Sequence, residues 1–199
     1  VPHLEIITNP FSPDTALRDA SSLPGRHAEI DRVVQVLRRR GVAWLRGPRR
    51  AGKTSFLDFV AHHSPDHQVF SRSLQAGSAQ TPDDIARLLA PDLRDAAKPA
   101  DEFVARLAGL DSPVIMLDEI AVLAEAEAGT LRWLRALGQE RATLIYSGSH
   151  HDWVLVKQRM HEVPGSSFGN DVDFIDFGPI PESDALEFLL TTAPQHAPI

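Results

Sequence analysis

Apolar positions recur along this chain in two periods, and the two periods alternate. From Arg26 onward Ile30, Val33, Val34 and Leu37 fall at i, i+3, i+4 and i+7, one stripe of a helix that Gly41 stops. Val42-Ala43-Trp44-Leu45 is a short apolar run closed by Gly47-Pro48, which reads as a strand entering a loop. Residues 53–62 are helical again, with Phe56, Leu57 and Val60 inward. His67 to Leu74 predicts a strand, Thr81-Pro82-Asp83-Asp84 a capped helix start, and residues 100–109 a further helix. Val114-Ile115-Met116-Leu117 has no polar interruption, as a strand buried on both faces requires. Helix is expected to about residue 138, broken near Gly129, with Leu131, Leu134 and Leu137 inward. Thr143 to Tyr146 and Val172 to Phe177 complete the strands, and Pro181 to Leu190 restarts a helix. Strands and helices alternating at this spacing predict an α/β fold with a mostly parallel sheet.

Composition narrows the class without naming a task. The 199 residues are 43% apolar and 24% charged, enough for one domain with a real core. No apolar run is long enough for a membrane span, so no membrane partner is expected. The absence of cysteine excludes disulfides and thiol chemistry and fits a reducing, cytoplasmic location. A net charge of −7 argues against a general nucleic-acid coat, yet it is unevenly spread. Residues 26–53 carry nine basic side chains against two acids, which asks for an anionic partner there.

The end of that basic stretch carries the chemistry. Gly47-Pro48-Arg49-Arg50-Ala51-Gly52-Lys53-Thr54, followed by Ser55, fits G-x-x-x-x-G-K-[ST] between a strand and a helix. Backbone N–H groups of such a loop form an anion nest at a helix N-terminus. Lys53 is expected to reach the β- and γ-phosphates, and the Thr54 hydroxyl to ligate Mg2+. The apolar strand that ends in Asp118-Glu119 puts two acids at the sheet's carboxyl edge. Asp118 is expected to hold Mg2+ and Glu119 to orient the attacking water. Ser147 and Ser149, in Ser-Gly-Ser after the next strand, are candidates for contact with the γ-phosphate, and equally a polar strand end. No Asn-Lys-x-Asp guanine-reading motif occurs, so ATP or ADP is the expected nucleotide. The groups His62-His63-His67 and His150-His151-His161 read as surface or loop histidines, Trp44 as core, and Trp133 as a half-buried ring.

With these motifs in place the chain resembles the archaeal-type P-loop ATPases, close to the AAA+ and STAND groups of the ASCE division. The resemblance rests on Leu23-Pro24-Gly25-Arg26-His27-Ala28-Glu29, the Gly-Pro-Arg-Arg loop, the Leu-Asp-Glu strand end and the later Gly-Ser. Asn9-Pro10-Phe11 resembles the segment before that box, and Ile180 to Leu189 the start of a helical lid. The resemblance implies a three-layered fold with sheet order 5-1-4-3-2, and Gly25 and Arg26 flanking the adenine pocket. It implies an arm over residues 1–25, an ATPase core over 26–180 and a lid start over 181–199, without a complete lid or winged helix. Two departures stand out: Pro164 to Gly169 replaces the family's Gly-Arg pair, and no Lys or Arg follows Arg159. An arginine acting in trans would therefore come from Arg159 or from a protein partner, including a second copy. Three functions fit: an ATPase switch, a nucleotide-gated interaction module with little hydrolysis, and a DNA-associated ATPase using Arg38 to Arg40, the last not favoured by the net charge.

Overall fold

The computed structural model describes residues 23, 25–74, 79–161 and 172–192. The arm before Leu23, Asn9-Pro10-Phe11 and Pro164 to Gly169 lie outside them.

Seven helices and five strands alternate through the described residues. They run α1 (His27–Arg39), β1 (Val42–Arg46), α2 (Lys53–His62), β2 (Val69–Ser73), α3 (Pro82–Leu89) and α4 (Pro99–Ala108). Then follow β3 (Val114–Asp118), α5 (Ala128–Glu140), β4 (Thr143–Gly148), α6 (His150–His161), β5 (Val172–Asp176) and α7 (Glu182–Thr192). Every strand pair is parallel, and the order β2-β3-β4-β1-β5 is the expected one read from its other edge. Parallel pairing requires crossovers, which is why each strand is followed by helix.

The period-2 alternation of the strands divides the core into two layers. Ala43, Leu45, Val114, Met116, Ile145 and Ile175 face α1 and α2, where Val33, Val36, Phe56 and Val60 meet them. Trp44, Ile115, Leu117, Leu144 and Tyr146 face the opposite way, towards helices α3 to α6. All five residues of β3 are buried, as its unbroken apolar run requires. Trp44 lies edge-on to Trp153 of α6, with ring centroids 4.7 Å apart, and is a core residue as expected.

Local differences from the sequence pattern have physical reasons. The buried stripe of α1 is Val33, Val36 and Leu37, while Val34 points to solvent at 36% exposure. Val34 continues the helical period from Ile30 and Val36 that from Val33, and packing against the sheet selects Val36. The helix ends at Arg40, whose φ of 54° is left-handed, rather than at Gly41. Arg40 N–H bonds Leu37 O and Gly41 N–H bonds Val36 O, which closes the last turn. Helix α3 has its expected cap: Thr81 Oγ1 accepts the Asp84 N–H and Asp84 accepts the Thr81 N–H. Helix α6 has no counterpart among the elements that the sequence pattern predicts. His62, His63 and His67 each bond a backbone carbonyl through Nδ1; a carbonyl only accepts, so that nitrogen carries the proton. No described helix is long and apolar enough to cross a membrane.

Candidate functional site

The site is built where β1, β3 and β4 end. Beyond β1 the chain turns through Gly47 to Gly52 and enters α2 at Lys53. Gly47 has no room for a side chain, because a Cβ there would lie 2.4 Å from Phe177 O. Its N–H bonds Gly148 O at 3.2 Å and Arg46 O accepts the Phe177 N–H at 2.6 Å, so neighbouring strands fix the loop's first residue. Arg50 and Gly52 take left-handed φ values of 64° and 87°, which turn the loop back onto the helix axis. Pro48, Arg49 and Arg50 are exposed, Ala51 is half-buried, and Ser55 lies in the first turn of α2.

Lys53 folds over this loop, its Nζ donating to Gly47 O at 3.0 Å and Pro48 O at 2.7 Å. Burial holds its ammonium below the ordinary lysine value, against the opposing pull of Asp118, Asp152 and Glu119, while Arg49 adds to the lowering. The sign has two consequences. The unfolded chain binds more protons between the folded and unfolded values, so this residue's contribution to stability rises with pH there. A triphosphate needs the protonated form, so ATP affinity is expected to fall as pH rises towards the ordinary lysine value, sooner than an unburied lysine would give. Titration calorimetry across that range, with Lys53→Ala as the flat control, measures it.

Opposite the loop, Thr54 Oγ1 donates to Asp118 Oδ2 at 2.6 Å. Asp118 is only 6% exposed, and its Oδ1 accepts the Glu119 N–H at 3.0 Å. A hydroxyl and a carboxylate form an oxygen-only donor set, which suits a hard cation such as Mg2+. Glu119 is exposed and sits at φ 55°, a left-handed conformation that costs a non-glycine residue about 1 kcal/mol. Strained backbone of this kind collects at working sites because the surroundings hold it.

The two serines part company in the structure. Ser147 is fully buried, and its Oγ has no hydrogen-bond partner among the described residues. It pairs in register with Leu45 and shares the parity of Ile145, so it lies on the α2 face of the sheet. Ser149 instead caps α6: its Oγ accepts the Asp152 N–H at 3.1 Å, and Asp152 accepts the Ser149 N–H at 2.6 Å. Ser149-His150-His151-Asp152 is a capping box, and this was the legible signal for α6. That cap brings in Asp152, a residue outside the expected site whose carboxylate acts on Lys53, and it sets the placement of His150 and His151. Those two line a cleft of about 600 Å3 beside the loop with Arg46, Gly47, Asp176 and Phe177.

Gly25 and Arg26 lie at the other end of the loop. Gly25 has φ 66°, and a Cβ there would meet Asp184 Oδ2 at 2.6 Å, so it packs directly on the start of α7. The Arg26 guanidinium is turned inward. It donates to Glu29 at 2.8 Å, Ala51 O at 3.1 Å and Gly178 O at 2.9 Å, and stacks over Phe177 at 4.5 Å.

Among solved structures, this chain aligns with the Orc1 protein of Aeropyrum pernix, determined in complex with DNA, over 92% of its length at 23% identity and a TM-score of 0.64. The fold is that of the P-loop nucleoside triphosphatases. A Walker-type ATPase of Pyrococcus abyssi aligns with 91% of the chain at 15% identity and a TM-score of 0.67. Hsp104, determined in a closed state with ATPγS and casein, aligns with 86% at 16% identity and a TM-score of 0.58. The chain spans 52% and 61% of the two archaeal P-loop proteins and 30% of Hsp104. No family model and no curated protein matches it.

Proposed function

We propose that this chain is an ATP-binding, Mg2+-dependent ATPase module that changes conformation between nucleotide states. The observation that carries the reading is the meeting of Thr54 with Asp118 at 2.6 Å across a Gly47–Thr54 loop, with Glu119 next in the chain. A phosphate nest, a hydroxyl–carboxylate pair and a free acid are the parts that phosphoryl transfer to water needs. Backbone N–H groups within Arg49–Lys53 cradle the phosphates, and Lys53 exchanges its two loop carbonyls for β- and γ-oxygens. Water attacks the γ-phosphorus in line, oriented by Glu119, as the bond to the bridging oxygen breaks and ADP leaves. Mg2+, held by Thr54 and Asp118, would supply charge neutralisation at the β- and γ-oxygens. Of the two serines, Ser147 has the uncommitted hydroxyl on the α2 face and is the better γ-phosphate sensor. Gly25 and the start of α7 border the adenine end, where α7 would begin a lid.

Arg159 favours a second reading, a nucleotide-gated interaction module with slow hydrolysis. It lines a cleft with Glu125, Leu155 and Gln158, away from the loop, so an arginine at the γ-phosphate would come from a partner or a second copy. The DNA-associated reading rests on Arg38 to Arg40, of which Arg39 pairs with Asp173 and Arg40 with Asp111 at 2.8 Å, leaving less free charge for a phosphate backbone.

ATP binding and phosphate release test the proposal together. Lys53→Ala is expected to weaken ATP about 10- to 100-fold, the worth of charge-assisted hydrogen bonds. Wild-type turnover no faster than the variant's would leave only the gated module, and equal ATP affinities would remove both readings.

A further inference from the structure

A second cleft, of about 500 Å3, lies at the β2 edge of the sheet, remote from the loop. Arg72 of β2, Arg87 of α3 and Arg94 of the following turn converge on it, with Asp84 as the lone acid in its wall. Backbone carbonyls hold two of the guanidinium groups in place. Arg72 donates from Nε to Leu88 O at 2.8 Å and from Nη1 to Ser71 O at 2.8 Å; Arg87 donates from Nε to Arg94 O at 3.3 Å. Asp84 is 3.9 Å from Arg87 and is engaged by Thr81, whose N–H and Oγ1–H it accepts at 2.9 and 2.8 Å. Arg94 pairs with no carboxylate among the described residues, although its neighbour Asp92 pairs with Arg106.

A charged edge strand can serve simply to block pairing with another chain, and Arg72 alone would fit that use. It does not explain arginines from three successive elements meeting at one concavity. Five N–H donors per guanidinium, most left over after the carbonyl bonds, amount to an oxyanion receptor. We propose that this cleft binds the phosphate group of a small free molecule. A nucleic-acid strand fits less well, because Asp83 and Asp95 on the same short segment would repel a continuous polyanion. The site is separate from the nucleotide loop: β2 lies three places from β1 in the sheet.

Inorganic pyrophosphate, titrated calorimetrically at low salt, is the probe. Wild-type protein is expected to take up two equivalents, one lost in Lys53→Ala and the other weakened at least tenfold in Arg94→Gln. Arg94 makes no side-chain bond within the described fold, so Arg94→Gln is expected to keep its melting temperature and its ATP affinity. Arg72→Gln weakens the same equivalent, and Arg94→Lys recovers it in part, since an ammonium keeps the charge and loses the fork. If Lys53→Ala alone has no effect, the loop's role fails and this site stands. A second equivalent indifferent to both Arg94→Gln and Arg72→Gln, or none at all, overturns the proposal. So does a single-stranded oligonucleotide that binds through Arg94 more tightly than pyrophosphate does.

Discussion

Glu119→Gln is expected to lower ATP hydrolysis by about 10^2- to 10^4-fold while leaving Mg·ATP affinity within about threefold. The split follows from where Glu119 sits. Its backbone N–H is committed to Asp118 Oδ1, its φ is left-handed, and it is exposed just beyond the end of β3. Glutamine keeps the shape and that backbone bond, so the nest and the Thr54–Asp118 pair survive the change. What it loses is the negative oxygen that orients the water and draws its proton as the P–O bond forms. Single-turnover phosphate release, read beside equilibrium ATP binding, separates the two effects. A variant as fast as wild type would dismiss Glu119 from the chemistry, and one that no longer binds ATP would make it a ligand instead.

How much of this was legible beforehand depends on distance along the chain. Gly47 to Thr54 and Val114 to Glu119 are local patterns, in which the strand, the turn and the working residue follow each other directly. Their elements were readable for that reason, down to the bounds of α2. Helix α6 has a local start signal in its Ser-x-x-Asp cap, but its apolar positions give no clear helical stripe, and reading His150 and His151 as loop residues leaves no helix there. Other features have no local signature. The choice of Val36 over Val34 depends on how α1 meets the sheet. The difference between Ser147 and Ser149 depends on β4 ending between them, which buries one hydroxyl and hands the other to a helix. The convergence of Arg72, Arg87 and Arg94 exists only once α3 has folded back along the edge strand.

Arg26 shows the same limit most sharply, and its removal is expected to have the largest effect on stability. The resemblance implies that it flanks the adenine pocket, and in the fold its guanidinium joins three segments that the sequence keeps far apart. Glu29 lies on the first turn of α1, Ala51 O belongs to the phosphate loop and Gly178 O follows β5. Phe177, under the guanidinium, is the residue whose carbonyl leaves Gly47 no room for a Cβ. Arg26→Ala would strand a carboxylate and two carbonyls in a region where the arginine itself is 4% exposed, at a cost of about 2–4 kcal/mol. For a domain this size that corresponds to a fall in melting temperature of about 5–15 °C. Arg26→Lys is expected to recover only part, since one ammonium cannot span three acceptors that a planar fork reaches together. Glu29→Ala should cost less, because Arg26 keeps its two carbonyls. ATP affinity of the still-folded Arg26→Ala protein is expected to drop as well, through the loosened Ala51 carbonyl rather than through a lost contact with the base. Urea unfolding and ATP titration at a temperature well below the transition measure the two effects separately. An Arg26→Ala protein that unfolds within about 0.5 kcal/mol of wild type, yet binds ATP poorly, would return Arg26 to the role of a direct nucleotide ligand.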